Sequence, residues 1–153
     1  LKARLFQDVV ADGVTSYPGV VELISSLSSE IPLAICSGAL RSDIEPILRQ
    51  LSIQDAFSVM VTAEEVAASK PDPASYALAV KKLSAALPGH GILPASCVAI
   101  EDTPAGITSA SAAGIPVLAV TNSYPSDQLY MAQRIVSSLE GISLTDLKAI
   151  VSP

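Results

Sequence analysis

Three runs in this chain are apolar at every position: Leu33-Ala34-Ile35-Cys36, Cys97-Val98-Ala99-Ile100 and Val117-Leu118-Ala119-Val120. A strand with one face in water alternates polar and apolar residues. Strands apolar throughout belong to parallel sheets covered on both faces. Phe57-Ser58-Val59-Met60-Val61-Thr62 reads as a further strand and Arg134-Ile135-Val136 as a short fifth. Between them lie segments at helical spacing. Val20, Val21, Leu23, Ile24 and Leu27 mark one, and Ile44, Ile47, Leu48 and Leu51 a second, with a capping box expected from Ser42 to Glu45. Tyr76 to Leu83 marks a third, with Asp72 as N-cap and Tyr76 as a packing residue. Ala105 to Ala113 is a fourth, stopped by Gly114, and Leu144 to Val151 closes the chain. This alternation predicts an α/β fold: a mostly parallel sheet in a three-layer α/β/α, Rossmann-like arrangement.

The 153 residues amount to about one domain. No apolar run reaches the roughly 18–20 residues that cross a bilayer, so no membrane partner is expected. Nine Lys and Arg against 15 Asp and Glu, with 4% aromatics, make neither a basic stripe nor a stacking platform, which argues against nucleic acid. Cys36 and Cys97 sit in or beside apolar runs and belong to no Cys cluster, so both are expected as free thiols in a cytoplasmic protein. His90, in a Gly/Pro connection, reads as a solvated loop residue.

Ligands of open parallel sheets bind outside the carboxyl ends of the strands. Three such ends carry chemistry. At Ser37-Gly38-Ala39, a hydroxyl and two amides lead into a helix, a geometry suited to a phosphate and equally to a plain turn. At Ser69-Lys70-Pro71-Asp72-Pro73, Pro71 holds Lys70 extended. Its ammonium could neutralise a phosphoryl oxygen or simply face water. At Glu101-Asp102, two adjacent carboxylates require a nearby cation, and Mg²⁺ is the natural one. The alternative there is that Asp102 and Thr103 cap the next helix, with Pro104 at its first position. Arg41 either stays in solvent or reaches a substrate from the helix after Ser37.

Taken together and in this order, strand–Ser-Gly-Ala, Ser-Lys-Pro-Asp-Pro and Ile-Glu-Asp-Thr-Pro-Ala-Gly resemble the haloacid dehalogenase superfamily. The likeness is greatest to its β-phosphoglucomutase-like phosphatases and mutases. Tyr17-Pro18-Gly19-Val20 and Ala112-Ala113-Gly114-Ile115-Pro116-Val117 extend the likeness. The resemblance implies Mg²⁺-dependent phosphoryl transfer on a small phosphorylated substrate. It implies Ser37, Gly38 and Ala39 as phosphate binders, Lys70 as the lysine that steadies nucleophile and phosphoryl oxygens, and Glu101 and Asp102 as metal ligands, Asp102 foremost. A phosphatase is expected, acting as a monomer. A phosphomutase is the alternative, and an inactive fragment or binding module the alternative of another class. A receiver domain shares these residue types, but there the acidic pair comes first and the lysine last.

The chain departs from the family in one respect. The superfamily's nucleophile lies in Asp-x-Asp-Gly near the N-terminus, whereas Val10-Ala11-Asp12-Gly13 puts Val10 at that position. Residues 1–17 instead resemble the end of the helical cap and its linker, and 18–153 the core without the nucleophile strand. With no initiator Met, the chain is expected to begin inside a longer protein whose upstream segment supplies that strand and the cap. By the same resemblance, that strand belongs between the strand ending at Ser37 and the one ending at Glu101. The sheet of this chain alone is therefore expected to be split.

Overall fold

A computed structural model of the chain describes residues 13–151. The expected helical end in 1–12 lies outside them. Each expected strand forms, the last two with the expected bounds and the others trimmed or shifted by one or two residues: β1 Ala34–Cys36, β2 Val59–Val61, β3 Ala99–Glu101, β4 Val117–Val120 and β5 Arg134–Val136. Cys97 falls just ahead of β3. Between and around the strands run α1 (Val20–Ser28), α2 (Arg41–Gln50), α3 (Ala74–Ala86), α4 (Pro104–Ala112) and α5 (Leu144–Val151). All strand pairings among the described residues are parallel.

Successive side chains on a strand point to opposite faces, and here both faces are covered. Ala99, Val117, Ala119 and Ile135 pack with Tyr76 of α3 and with Ile107 and Ala110 of α4. Leu118, Val120 and Val136 pack with Leu23 and Leu27 of α1 and Leu147 of α5. Ile35 and Met60 meet Ile44 and Leu48 of α2, together with Val21 and Ile24 of α1. Such double burial is why the runs show no alternation in sequence.

The sheet is in two pieces. β1 pairs with β2, and β3, β4 and β5 form a separate ribbon in the order β3-β4-β5. Among the described residues no ladder joins β1 to β3. The Ser37 amide bonds the Val61 carbonyl on the β2 side, so the alternation of a parallel ladder turns Cys36 toward the seam. Ile100, in the middle of β3, is 37% exposed while Leu118 beside it is fully buried, which marks β3 as an edge. Helices hold the halves together. α1 places Val21 and Ile24 with the β1–β2 cluster and Leu23 and Leu27 with the β3–β5 cluster. On the opposite face, Cys36 of β1 packs against the cluster containing Tyr76 of α3.

The start of α2 corrects one expectation. The helix begins at Arg41 with Leu40 as N-cap and no side-chain cap, so Ser42 already lies inside it. The orphan Arg41 amide donates instead to Glu64 at 3.2 Å, from the turn after β2.

Charge closes the outer edge of β2. The Met60 carbonyl accepts from Lys82 Nζ at 3.2 Å and Arg41 Nη2 at 3.5 Å. Glu65 pairs with Lys82 and accepts the Thr62 amide at 2.9 Å. The Lys82 bond above all holds the Glu65 carboxyl below the usual carboxylate range. A carboxyl depressed in the folded state stabilises the fold at neutral pH, and that contribution is lost as pH falls through its folded value. Lys82→Met is therefore expected to lose less stability than the parent between pH 7 and 3. The difference should be about 0.5 kcal/mol, since the pair is at the surface. Urea melts at the two pH values check this.

Candidate active site

Lys70 lies in the loop before α3, which is anchored at several points. The Asp72 amide donates to the Ser69 carbonyl at 3.0 Å. Asp72 Oδ1 accepts the Ala74 amide at 2.8 Å, and the Asp72 carbonyl accepts from buried Ser109 Oγ of α4 at 2.6 Å. The Lys70–Pro71 peptide is cis. The expected cap is displaced by one residue: Pro73, in helical conformation, is the N-cap, and Asp72 bonds the first helical amide from outside.

From this loop Lys70 spans the seam. Its Nζ donates to the Cys36 carbonyl at the end of β1, at 3.1 Å, and to Glu101 Oε1 at the end of β3, at 2.5 Å. It also lies 4.9 Å from the centroid of the Tyr76 ring. The lysine side chain is 19% exposed and the glutamate 7%. An ammonium has three N–H donors. Two are spent here, and nothing among the described residues accepts the third.

Glu101 is closed in. Its Oε1 also accepts the Tyr76 hydroxyl at 2.5 Å, and a Cβ at Gly106 would overlap its carboxylate. Burial first, and the Glu101 charge next, push the Tyr76 phenol far above its ordinary range, so it remains a donor. Asp102, just past the end of β3, has a different partner. Its Oδ2 accepts Ser123 Oγ at 2.5 Å from the loop after β4, and no donor among the described residues reaches Oδ1. Lys70 is therefore the cation that compensates the buried carboxylate, while half-buried Asp102 meets a hydroxyl. Thr103 caps α4 by accepting the Gly106 amide at 3.0 Å, with Pro104 at its start, so capping and chemistry share the segment.

Ser37 Oγ accepts the Ala39 amide at 3.1 Å, which keeps that amide inside its own turn. Gly38 is exposed beside it. Arg41 stands apart from Lys70, Glu101 and Asp102: its guanidinium is 3.5 Å from Glu65 and 3.7 Å from Glu45, at the β2 edge. His90 is exposed. Sequence reasoning missed Tyr76, taken as packing only, and Ser123. The strand-end rule, applied to the fourth strand as well, would have reached Thr121-Asn122-Ser123.

The family model described as haloacid dehalogenase-like hydrolase matches residues 2–120. Hexitol phosphatase A of Escherichia coli (strain K12) is 36% identical over 138 residues, covering 88% of this chain and 59% of that protein. Protein CbbY of Rhodobacter capsulatus is 34% identical over 128 residues, covering 80% of this chain and 53% of that protein. The chain thus spans somewhat over half the length of these relatives. The crystal structure of CbbY from Rhodobacter sphaeroides in complex with xylulose-(1,5)bisphosphate superposes with a TM-score of 0.81 at 25% identity, over 92% of this chain and 62% of that one. β-Phosphoglucomutase from Clostridium difficile shares the fold with a TM-score of 0.76 at 23% identity, over 97% of this chain and 60% of that one.

Proposed function

Because the chain belongs to the haloacid dehalogenase-like hydrolases, we propose that it forms the core of a Mg²⁺-dependent phosphatase of small phosphorylated metabolites. The observation that carries this reading is Lys70, fixed at the carboxyl ends of β1 and β3 with one N–H uncommitted. A positioned ammonium among strand-end donors suits the charge on a transferring phosphoryl group. The exposed Gly38 amide and the Ser37 hydroxyl at the end of β1 are further donors for it. The phosphatase and bisphosphate-bound relatives support a sugar-phosphate-like substrate, and the two free thiols support a reducing, cytoplasmic setting.

The nucleophile of this reading is an aspartate on a strand that fills the seam, supplied from upstream of Leu1 together with the cap. One carboxylate oxygen attacks phosphorus, the ester P–O bond breaks, and the departing oxygen takes a proton. Water then cleaves the acyl phosphate and releases inorganic phosphate. Lys70 would contact the phosphoryl oxygens throughout. Among the described residues no three His, Cys, Asp or Glu side chains cluster. Mg²⁺ is content with one or two carboxylates plus waters and phosphate, and Asp102, with Oδ1 open, fits as its carboxylate ligand. Bound there, the ion would neutralise phosphoryl charge. Glu101, committed to Lys70 and Tyr76, would serve by holding the lysine.

Turnover of p-nitrophenyl phosphate by the intact protein tests this reading. Asp102→Asn is expected to raise the Mg²⁺ concentration for half-maximal rate at least tenfold, since even the loss of an outer-shell partner of a metal ligand costs about 10–100-fold. A protein without phosphatase activity would be the binding module instead, and a rate indifferent to both Mg²⁺ and Lys70 would overturn this reading of the site. Transfer of phosphate between sugar positions, with little release to water, would identify a mutase.

A further inference from the structure

We propose that Tyr76, outside the reacting groups, is a positioning residue for Lys70, and that it acts by fixing the Glu101 carboxylate that holds the ammonium. The proposal rests on the phosphoryl-transfer reading above. Tyr76 lies in the first turn of α3, buried among Ala99, Ile107 and Leu129. A core tyrosine kept for packing alone could satisfy its hydroxyl on any backbone carbonyl. This one donates at 2.5 Å to Glu101 Oε1, the same oxygen that pairs with Lys70, while its ring lies under the ammonium at 4.9 Å.

Two donors on Oε1, and Gly106 against the rest of the carboxylate, leave Glu101 one orientation. Remove the hydroxyl and Oε1 keeps a single strong donor, Lys70 itself. The terminal carboxylate torsion is soft, so the carboxylate can turn and draw the ammonium with it. The uncommitted N–H then no longer addresses a fixed point, and small misplacements of a catalytic group cost rate steeply.

Tyr76→Phe keeps the ring, and with it the packing and the ring–ammonium contact. In the intact protein, kcat for p-nitrophenyl phosphate is expected to fall about tenfold, with KM within twofold. Tyr130→Phe, on an exposed loop, should change neither. In ¹⁵N-lysine-labelled protein, the Lys70 ammonium cross-peak should shift in Tyr76→Phe and stay in place in Tyr130→Phe. An unmoved cross-peak overturns the proposal. So does an unchanged kcat in Tyr76→Phe when Lys70→Ala abolishes turnover. If Lys70→Ala turns over as fast as the parent, the phosphoryl-transfer reading is what fails, and the cross-peak still decides whether Tyr76 holds Lys70.

Discussion

Lys70→Met is expected to destabilise the fold by about 3 kcal/mol, the lower end of the cost of removing one partner from a buried ion pair. Methionine replaces much of the aliphatic stem, so the loss comes from charge and hydrogen bonds rather than from a cavity. Two groups are affected at once: Glu101, 7% exposed, loses its only cation among the described residues and keeps the Tyr76 hydroxyl, and the Cys36 carbonyl loses its ammonium donor. At this chain length the change corresponds to a drop in Tm of about 6–12 °C. Turnover should fall about 10²- to 10³-fold, the typical cost of deleting one preorganised donor to a transition-state oxygen. A double variant, Lys70→Met with Glu101→Leu, separates the two effects. Removing the stranded charge should restore much of the stability and none of the activity. Urea melts and p-nitrophenyl phosphate assays on the four proteins check this. If the two stability losses simply add, the pair is not coupled as described.

Gly19→Ala should disturb the fold more. Gly19 opens α1 at φ +83°, a left-handed conformation that costs a residue with a side chain about 1–2 kcal/mol. An added Cβ would also run into the backbone of Leu139 and Glu140, and backbone cannot swing aside as a side-chain tip can. Relief requires α1 to back away from the segment before α5. That pulls Leu23 from Leu139, which share a core cluster with Leu118 and Leu147. The total should reach about 4 kcal/mol, among the exceptional single-site losses and most of the reserve of a marginal domain. Gly13, at φ +102° with nothing within 4 Å of its Cβ position, supplies the control. Gly13→Ala should cost only the left-handed strain, about 1 kcal/mol. Melting curves that place the two variants within experimental error of each other would refute the close approach at Gly19.

The strands were legible because double burial writes itself as unbroken apolar runs, as at Val117–Val120, where every residue is buried. The strand-end rule then led to Ser37, Lys70 and Glu101-Asp102 without knowledge of tertiary contacts. What stayed hidden depends on partners remote in sequence. Ser42 and Glu45 have the spacing of a capping box, yet Glu64, 23 residues from Arg41, takes the first amide. The acidic pair was read as wanting a cation nearby, with Mg²⁺ the natural one. Glu101, the last residue of β3, meets Lys70, 31 residues away, while Asp102 beyond the strand meets Ser123. Tyr76 looked like packing because its ring is packing. Only its hydroxyl belongs to the site, and no periodicity records where a hydroxyl points.

The Lys70 ammonium is gathered from three stretches of chain: its own loop, the carbonyl of Cys36 34 residues away and the carboxylate of Glu101 31 residues away. The contact to Glu101 cannot form within either half of the molecule. A chain that has built only its β1–β2 unit can offer the lysine a carbonyl but not the carboxylate that completes its seat. The lysine is thus fully fixed only once the halves have docked. An assay that senses the lysine's confinement would double as a reporter of that docking.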